Sequence, residues 1–407
     1  MERQSRMDFT ERPMTNARLA SIIINNYNYR RFLREAVDSA LNQTYRNTEV
    51  IVVDDGSTDG SPEIIASYGD RIVPVLKQNG GQNSALNAGF SLSRGDVILF
   101  LDSDDVLLPT AVEAAVEALA EPDVVKVHWP WVEWDDSSRK TGKVWCKSLP
   151  DVDLRDLVLR EGPDGVAAYL PSGNAHTRGF LESVFPLPDV RRNPDCSPSD
   201  GERTWAARPG PDLYLATLAP LYGRLKQVAE PQACYRIHGA NGYQSLKFKD
   251  RLSFDLALFD YVSKAAAAHC GKLGISVNRE QWKTKSWAHR IQQAARGIVS
   301  LIPMGASFIL VDEDCWKTDS FLSGRKRIPF LERGGQYWGR PPDDVTAIQE
   351  LERLREAGAE FIVFAWSTFW WFDYYAGLHR HLRTGFPCLL ENDCLVVFDL
   401  RKKSGVV

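Results

Sequence analysis

Residues 97–105 read Val-Ile-Leu-Phe-Leu-Asp-Ser-Asp-Asp, an uninterrupted apolar run that ends in acidic residues. The run from Val97 to Leu101 has the length and the β-branched start typical of a strand buried on both faces of a parallel sheet. Asp102 and Asp104 follow two positions apart, so in an extended chain their carboxylates point to the same side. The stretch therefore predicts a buried strand whose carboxyl end presents a pair of carboxylates.

The segments on either side of this stretch alternate between strand and helix patterns. Strands are predicted at 19–24, 50–53 and 72–76, and helices at 31–42, 61–68, 84–91 and 109–120. Such alternation predicts an α/β fold, a Rossmann-like and mostly parallel sheet with flanking helices. Ligands bind at the carboxyl ends of the strands in these sheets, so we expect the functional site there.

The pattern changes after Glu121, and the chain divides into segments of different character. We predict a flexible N-terminal tail at 1–18, the α/β domain at 19–248, a helical linker region at 249–302 and a small C-terminal α/β domain at 303–407. The stretch from Val124 to Trp134 predicts a single edge strand. Its tryptophans could stack on a sugar, but the alternate spacing of Trp129 and Trp131 favours core packing.

Composition excludes several classes of partner and location. The net charge of −4 over 407 residues gives no basic field for nucleic acid. The chain has no uncharged apolar run of membrane-spanning length, and its first 18 residues lack the apolar segment of a signal peptide. The seven cysteines are scattered without a CxxC pair, which favours reduced thiols and a cytoplasmic protein. Peripheral contact with the inner face of a membrane and a homo-oligomer stay open.

The carboxylate pair at Asp102 and Asp104 indicates a metal site. Hard carboxylate oxygens suit Mg²⁺ or Mn²⁺, ions that keep coordination positions open for phosphate oxygens. Such an ion would offset the charge that develops on a departing diphosphate. A solvated acidic turn has the same composition, so the neighbouring motifs decide between the two interpretations.

The first 110 residues carry a set of motifs in a fixed order. They are Ser21-Ile-Ile-Ile-Asn-Asn-Tyr-Asn28, Leu41-Asn-Gln-Thr44, Val52-Val-Asp-Asp-Gly-Ser-Thr-Asp-Gly60, Gly81 to Gly89, and Gly95 to Asp105. In order and spacing they resemble the family 2 inverting nucleotide-sugar glycosyltransferases of GT-A fold, and the resemblance thins but persists to about Asn241. It implies transfer of a sugar from a nucleotide-diphosphate donor, a UDP-sugar favoured, to a hydroxyl of a glycan or glycoconjugate, with Mn²⁺ or Mg²⁺ as cofactor.

The resemblance implies a nucleotide site at the ends of the first, second and fourth strands. Asn25 and Tyr27 would line the nucleobase pocket, and Asp55 would accept a hydrogen bond from the base, with Asp54 beside it. Ser103 would lie with Asp102 in the same site. The segment around Asp54 and Asp55 would also be explained by an Asx-turn before a helix.

The resemblance also implies the metal and phosphate contacts. Asp104 would be the principal metal ligand, and Asp102 would act through the ribose or through the metal's water. His238 would complete the metal shell or contact the diphosphate, and Arg236 would offset phosphate charge with its planar fork. Asn174 belongs to a short-residue loop that resembles the family's acceptor-side loop.

An inverting reaction further needs a base that faces the acceptor hydroxyl. By the resemblance this base is Asp212, which begins a helix directly after a long loop, with Pro211 where the family usually has Glu. Asp195 and Asp200 within the loop are the competing candidates. A helix N-cap would also explain an Asp at position 212.

Two other functions stay open from the sequence. A sugar nucleotidyltransferase also has a nucleotide-binding sheet and a metal-binding Asp, but it would carry a Gly-rich basic loop after the first strand, where this chain has Asn25-Asn26-Tyr27-Asn28. A catalytically retired glycan-binding or scaffolding protein would agree with Pro211 and with the unassigned C-terminal domain. Such a protein would be expected to lose its metal carboxylates, and this chain keeps both.

Overall fold

The computed structural model describes residues 18–145, 154–166, 171–189, 210–239, 248–316, 322 and 324–401. These residues form two compact units. The described residues from 18 to 239 together with 257–279 belong to the first, and those from 248 to 256 together with 280–401 belong to the second. The boundaries expected from the sequence, at 18, 248 and 302, stay predictions.

The first unit contains a central sheet, a smaller sheet and flanking helices. Its strands are β1 (Ala20–Asn26), β2 (Thr48–Asp54), β3 (Val73–Leu76), β4 (Val97–Asp102), β5 (Val106–Leu107), β6 (Val124–His128), β7 (Trp131–Trp134), β8 (Lys140–Trp145), β9 (Asn174–Thr177), β10 (Arg224–Gln227) and β11 (Ala233–Arg236). Its helices are α1 (Arg30–Leu41), α2 (Ser61–Ala66), α3 (Gln82–Leu92), α4 (Ala111–Ala118), α5 (Arg155–Glu161), α6 (Arg178–Val184) and α7 (Pro211–Tyr222). Along the chain, α8 (Phe248–Lys272) follows with residues in both units. α9 (Arg279–Lys285), apart from Arg279, and α10 (Trp287–Leu301) belong to the second unit.

Among the described residues, the central sheet has the strand order β10-β6-β9-β4-β1-β2-β3. β1 pairs in parallel with both β2 and β4, and β2 pairs in parallel with β3. β9 lies antiparallel between β4 and β6. The smaller sheet has the order β5-β11-β7-β8. The predicted fold class, an α/β arrangement of GT-A type with a mostly parallel sheet, is confirmed.

Apolar side chains on both faces of the central strands hold the helices against this sheet. The apolar side chains within β1 and β4 are at most 1% exposed, from Ile22 to Ile24 in β1 and from Val97 to Leu101 in β4. α3 approaches the sheet so closely that a Cβ on Gly89 would lie 2.4 Å from Cγ2 of Ile23. Burial on both faces explains why these strands are continuous apolar runs rather than alternating ones.

The prediction of one edge strand from Val124 to Trp134 is wrong. The segment forms two strands in different sheets, and β6 lies inside the central sheet between β9 and β10. The break falls at Pro130, which has no N–H to donate to a strand ladder. Trp129 and Trp131 are 0% and 7% exposed and belong to the core, so the packing interpretation of these two residues is confirmed.

The second unit is built on a five-stranded sheet of order β13-β12-β16-β18-β17. Its strands are β12 (Ser307–Val311), β13 (Lys326–Pro329), β16 (Phe361–Ala365), β17 (Cys388–Glu391) and β18 (Leu395–Asp399), with a hairpin of β14 (Glu332–Arg333) and β15 (Gln336–Tyr337). Its further helices are α11 (Asp344–Glu356), α12 (Trp371–Tyr374) and α13 (Ala376–Gly385). β12 pairs in parallel with β13 and β16, so this unit has the α/β character expected of the C-terminal residues.

The helices show no transmembrane character. α8 is 25 residues long, but charged residues recur along its sequence. Within the part of the chain that the structure describes, no helix combines the length and the apolar character that crossing a membrane would require.

Candidate active site

The carboxyl ends of three parallel strands meet at one edge of the central sheet. In the strand register, Asn25 of β1 lies opposite Asp102 of β4, and Asn26 lies opposite Asp54 of β2. Nδ2 of Asn25 donates to Oδ1 of Asp102 at 3.1 Å, and Nδ2 of Asn26 donates to Oδ1 of Asp54 at 2.8 Å. The two consecutive asparagines of β1 thereby fix the carboxylates at the ends of both neighbouring strands.

Three carboxylates crowd together where β4 ends. Asp102, Asp104 and Asp105 each offer a carboxylate oxygen, and these oxygens lie within 4.8 Å of one another. Both oxygens of Asp105 have partners in the chain. Oδ2 accepts from the Ser172 hydroxyl at 2.7 Å, and Oδ1 accepts from the backbone N–H of Arg236 at 3.1 Å. Asp105 therefore holds the turn in place, and Asp102 and Asp104 are the two carboxylates of the cluster that could hold a cation.

Crowding and burial change the acidity of this cluster. Burial, and after it the charge of Asp104, raise the pKa of Asp102 to about 7. The same two causes raise the pKa of Asp105 well above its usual range. Like charges held this close oppose each other's ionisation, and a divalent cation would remove that repulsion. The donor set, all hard oxygens, fits Mg²⁺ or Mn²⁺.

His238 lies against Asp104. Its Nε2 is 3.0 Å from Oδ2 of Asp104. The imidazole packs on Phe32 and Tyr29, with ring centroids 5.0 and 5.6 Å apart. These rings orient the imidazole toward the carboxylate cluster. The structure thus brings together Asp102, Asp104 and His238, the three residues that the resemblance assigns to the metal.

Arg236 lies on the inner side of the same cluster. It is 1% exposed, and its guanidinium donates to the carbonyl of Asp104 at 2.9 Å, to Ser138 at 2.7 Å and to Glu35 at 2.9 Å. The guanidinium also lies 4.6 Å from the centroid of the Phe32 ring. These contacts place Arg236 under the acidic turn, where its charge offsets that of the carboxylates.

The aspartates at the end of β2 hold two loops. Oδ2 of Asp54 accepts from the N–H of Ser57 at 2.9 Å, the local Asx-type contact. Asp55 is 3% exposed, pairs with Lys77 and accepts from the N–H groups of Gly80 at 2.8 Å and Gly81 at 2.6 Å. Asp55 therefore fixes the loop that leads into α3, on the side of the site where the resemblance places the nucleobase.

Asp212 stands at the start of α7, in the positive end of the helix. The residue that caps this helix is Gly210, so the interpretation of Asp212 as an N-cap is wrong. Asp212 is half-buried, and its Oδ1 is buried without a hydrogen-bond partner among the described residues. Burial, and after it the charge of Asp102, raise the pKa of Asp212 well above its usual range, while the charge of Lys126 opposes this.

A small cavity lies beside Asp212. Its volume is about 10 Å³, room for about one water molecule, and its polar lining comes from Lys126, Asn174, His176 and Asp212. Lys126 is 1% exposed, and burial lowers its pKa to about 7 although the charge of Asp212 opposes this. Burial and the charge of Lys126 hold the pKa of His176 well below its usual range, so this imidazole is neutral. Asn174, expected on the acceptor side, thus lies next to the expected base.

Sequence reasoning missed two residues that connect these groups. Nε2 of Gln82 donates to Oδ1 of Asp102 at 3.0 Å. A Cβ on Gly210 would lie 3.4 Å from Oε1 of Gln82 and 3.9 Å from Oδ2 of Asp212, so both side chains lie against Gly210. Ser172 binds Asp105 and also accepts from the N–H of Asp102 at 3.2 Å. Both residues lie in motifs singled out from the sequence, but their partners became visible only in the fold.

The remaining expected residues lie as follows. Ser103 is 2% exposed, and Tyr27 is half-buried just after β1. Asp195 and Asp200, the competing candidates for the base, lie outside the described residues, as does Asn241.

Comparisons with known proteins agree with this arrangement. The model of the glycosyl transferase family 2 matches residues 21–167. An uncharacterized glycosyltransferase of Nostoc sp. (strain PCC 7120) is 36% identical over 232 residues, 55% of this chain and 66% of that protein. An uncharacterized glycosyltransferase of Rickettsia prowazekii (strain Madrid E) is 48% identical over 105 residues, 26% of this chain and 33% of that protein. The chain thus spans about two thirds of the first relative and about one third of the second.

Among solved structures, S. aureus TarS 1–349 in complex with UDP-GlcNAc is similar, with a TM-score of 0.39 and 16% identity over 69% of this chain and 83% of that chain. At these values the structural neighbour decides nothing about the chemistry of this chain. The family match, at residues 21–167, contains the acidic cluster of Asp102, Asp104 and Asp105. The chain therefore belongs to glycosyl transferase family 2.

Proposed function

We propose that the chain is a metal-dependent inverting glycosyltransferase. It moves a sugar from a nucleotide-diphosphate donor, a UDP-sugar favoured, to a hydroxyl of a glycan or glycoconjugate. The observation that carries the proposal is that Asp212 lies near the Asp102–Asp104 pair. Gln82, which donates to Asp102, and Asp212 both lie against Gly210, and the charge of Asp102 contributes to the raised pKa of Asp212. A metal site made of two carboxylates would also suit other phosphate chemistry. The half-buried carboxylate of Asp212 beside it suits proton removal from an acceptor hydroxyl.

The donor would bind along the edge of the sheet. Asp102 and Asp104 would hold Mn²⁺ or Mg²⁺, which supplies the positive charge that a departing diphosphate needs. Asn25, Tyr27 and the loop fixed by Asp55 would accommodate the nucleoside. His238 keeps the Asp104 carboxylate in one orientation, because its Nε2 bonds one oxygen and leaves the other for coordination.

Asp212 would accept the proton of the acceptor hydroxyl. As the acceptor oxygen forms its bond to the anomeric carbon, the bond from that carbon to the diphosphate oxygen breaks, and the diphosphate leaves with the electron pair. A carboxylate with a raised pKa is a stronger base than an ordinary one, and burial provides that here. Asn174 and the small cavity would lie on the acceptor side of the same carboxylate.

The structure gives no support to a nucleotidyltransferase. The side chains that follow the apolar part of β1 are Asn25 and Asn26, and both bind carboxylates of neighbouring strands. At the position where that class of enzyme has a Gly-rich cradle of N–H groups for its phosphates, this chain has Asn25-Asn26-Tyr27-Asn28.

A panel of UDP-, GDP- and TDP-sugars tests the proposal. Binding is measured by calorimetry and nucleotide release by chromatography, with Mn²⁺, with Mg²⁺ and with EDTA. We expect one donor class to bind and to release its nucleotide only when a metal is present. If no donor of the panel binds with either metal, the proposed function is refuted.

A further inference from the structure

Three loops meet at one edge of the second unit's sheet. β12, β13 and β16 run parallel, so the segments that follow them, from Asp312, Phe330 and Trp366, leave the sheet at the same end. In α/β sheets this end is where ligands bind. The proposed glycosyl transfer uses none of these residues.

Side chains from the three loops fix one another. Glu313, after β12, accepts from Nε1 of Trp371 at 2.9 Å and from Nη2 of Arg340 at 2.7 Å. The Tyr375 hydroxyl donates to the carbonyl of Pro341 at 2.6 Å. Glu313 thus connects the loop after β12 with the loops after β13 and β16. The three segments form one preformed surface, which needs little ordering when a ligand binds.

Large aromatic side chains stand exposed on this surface. Trp338 is 61% exposed, Trp370 38% and Tyr374 66%. The guanidinium of Arg340 lies 4.9 Å from the centroid of the Trp370 ring, and the Tyr374 ring centroid is 5.7 Å from that of Trp370. The guanidinium of Arg333 lies 5.0 Å from the Trp338 ring. We call Trp338, Arg340, Trp370 and Tyr374 the aromatic surface.

Core packing does not explain the aromatic surface. The buried aromatic residues of the same loops, Trp371 and Tyr375, are 1% and 2% exposed and already fill the space above the sheet. Exposed rings of this size that cluster at a ligand-binding end of a sheet mark an interaction site. The charged side chains of Arg333, Arg340 and Asp373 lie among them, whereas charged residues are depleted at the core of a protein interface.

The geometry points to a saccharide. A pyranose ring has an apolar face of C–H groups and a rim of hydroxyls, so it stacks on a flat aromatic ring while its rim bonds charged or polar side chains. The aromatic surface provides both features side by side, more than once. We propose that it binds a saccharide chain, independently of the donor site in the first unit.

Calorimetry on the full chain tests this proposal, with EDTA present and no nucleotide so that the donor site does not contribute. The probes are linear tetrasaccharides of glucose, mannose, N-acetylglucosamine and galacturonic acid. We expect at least one to bind, and Trp370→Ala and Tyr374→Ala to weaken that binding by about tenfold each. Trp370→Phe keeps a flat aromatic face and should retain most of the affinity.

Trp287→Ala is the matched control. Trp287 is 43% exposed in the same unit, but it packs against Trp366, which is partly buried and packs on the core cluster that contains Phe308 and Trp316. Its variant should bind the saccharide like wild type. The proposal is overturned if no probe binds at about 5 mM, in the range of weak affinities, or if Trp287→Ala and Trp370→Ala lose equal affinity. It is also overturned if light scattering shows a dimer that Trp370→Ala dissociates, because the surface then belongs to a second copy of the chain.

Discussion

Replacing Lys126 by Met probes the buried polar cluster beside Asp212. Lys126 is 1% exposed on β6 and lies opposite His176 in the strand register. Burial lowers the pKa of Lys126 from an ordinary 10.5 to about 7. A lowering of about 3.5 pKa units corresponds to roughly 5 kcal/mol of destabilisation where the residue is protonated. Met has a similar length and no charge, so we expect Lys126→Met to be more stable at neutral pH by about 1–4 kcal/mol.

The pH dependence gives the sharper test. Between about pH 7 and 10.5 the unfolded chain still binds the Lys126 proton while the folded chain has released it. Wild-type stability should therefore rise with pH in this window, by at most about 1.4 kcal/mol per pH unit from this residue. The advantage of the variant should be largest at and below pH 7 and should shrink toward pH 10.

Urea denaturation at several pH values measures both quantities. Lys140→Met, at an exposed position on β8, is the matched control and should leave both the stability and its pH dependence near wild type. In enzyme assays, Lys126→Met should move the acidic limb of the pH–rate profile to higher pH, because the charge of Lys126 lowers the pKa of Asp212 and the variant lacks that charge. A variant that is less stable at pH 7, or whose advantage does not change with pH, would refute the reasoning.

Two further predictions concern the metal and the packing of the sheet. Asp104→Ala removes a proposed metal ligand, so it should weaken donor binding about tenfold or more in the presence of Mn²⁺ and leave donor binding in EDTA unchanged, both measured by calorimetry. Equal metal dependence of donor binding in variant and wild type would refute the metal assignment. Gly89→Ala should destabilise the chain by about 1–3 kcal/mol in urea denaturation, since its Cβ would lie 2.4 Å from Ile23. Gly179→Ala on α6, where a Cβ would meet nothing within 4 Å, is its control, and an equal effect of both would contradict the packing argument.

Much of the first unit could be predicted because its strands are buried on both faces. The apolar runs that become β1, β2 and β4, with Asn or Asp directly after them, predict both the sheet and the edge that carries the site. Asp102 and Asp104 were predicted from their spacing together with the neighbouring motifs, which favoured a site over a solvated acidic turn. For these elements, hydrophobic pattern and tertiary structure agree.

The interior positions of β6 and β9, whose side chains lie beside Asp212, could not be predicted, because both strands contain polar residues. β9 reads Asn-Ala-His-Thr and β6 contains Lys126 and His128, yet both strands lie inside the sheet. A buried lysine contradicts the composition that sequence reasoning expects of a central strand. Gln82 and Asp212 likewise both lie against Gly210 although they are 130 positions apart, and no local pattern indicates that they lie near each other.

The most direct test of the proposed reaction is Asp212→Asn, which keeps the shape of the side chain and removes its basicity. Turnover of the donor and acceptor should fall by at least about 10²-fold, the usual contribution of a general base. Donor affinity with Mn²⁺ should stay near wild type, because Asp212 is not a proposed metal ligand. If Asp212→Asn turns over at the wild-type rate, Asp212 is not the base and the proposed mechanism is wrong.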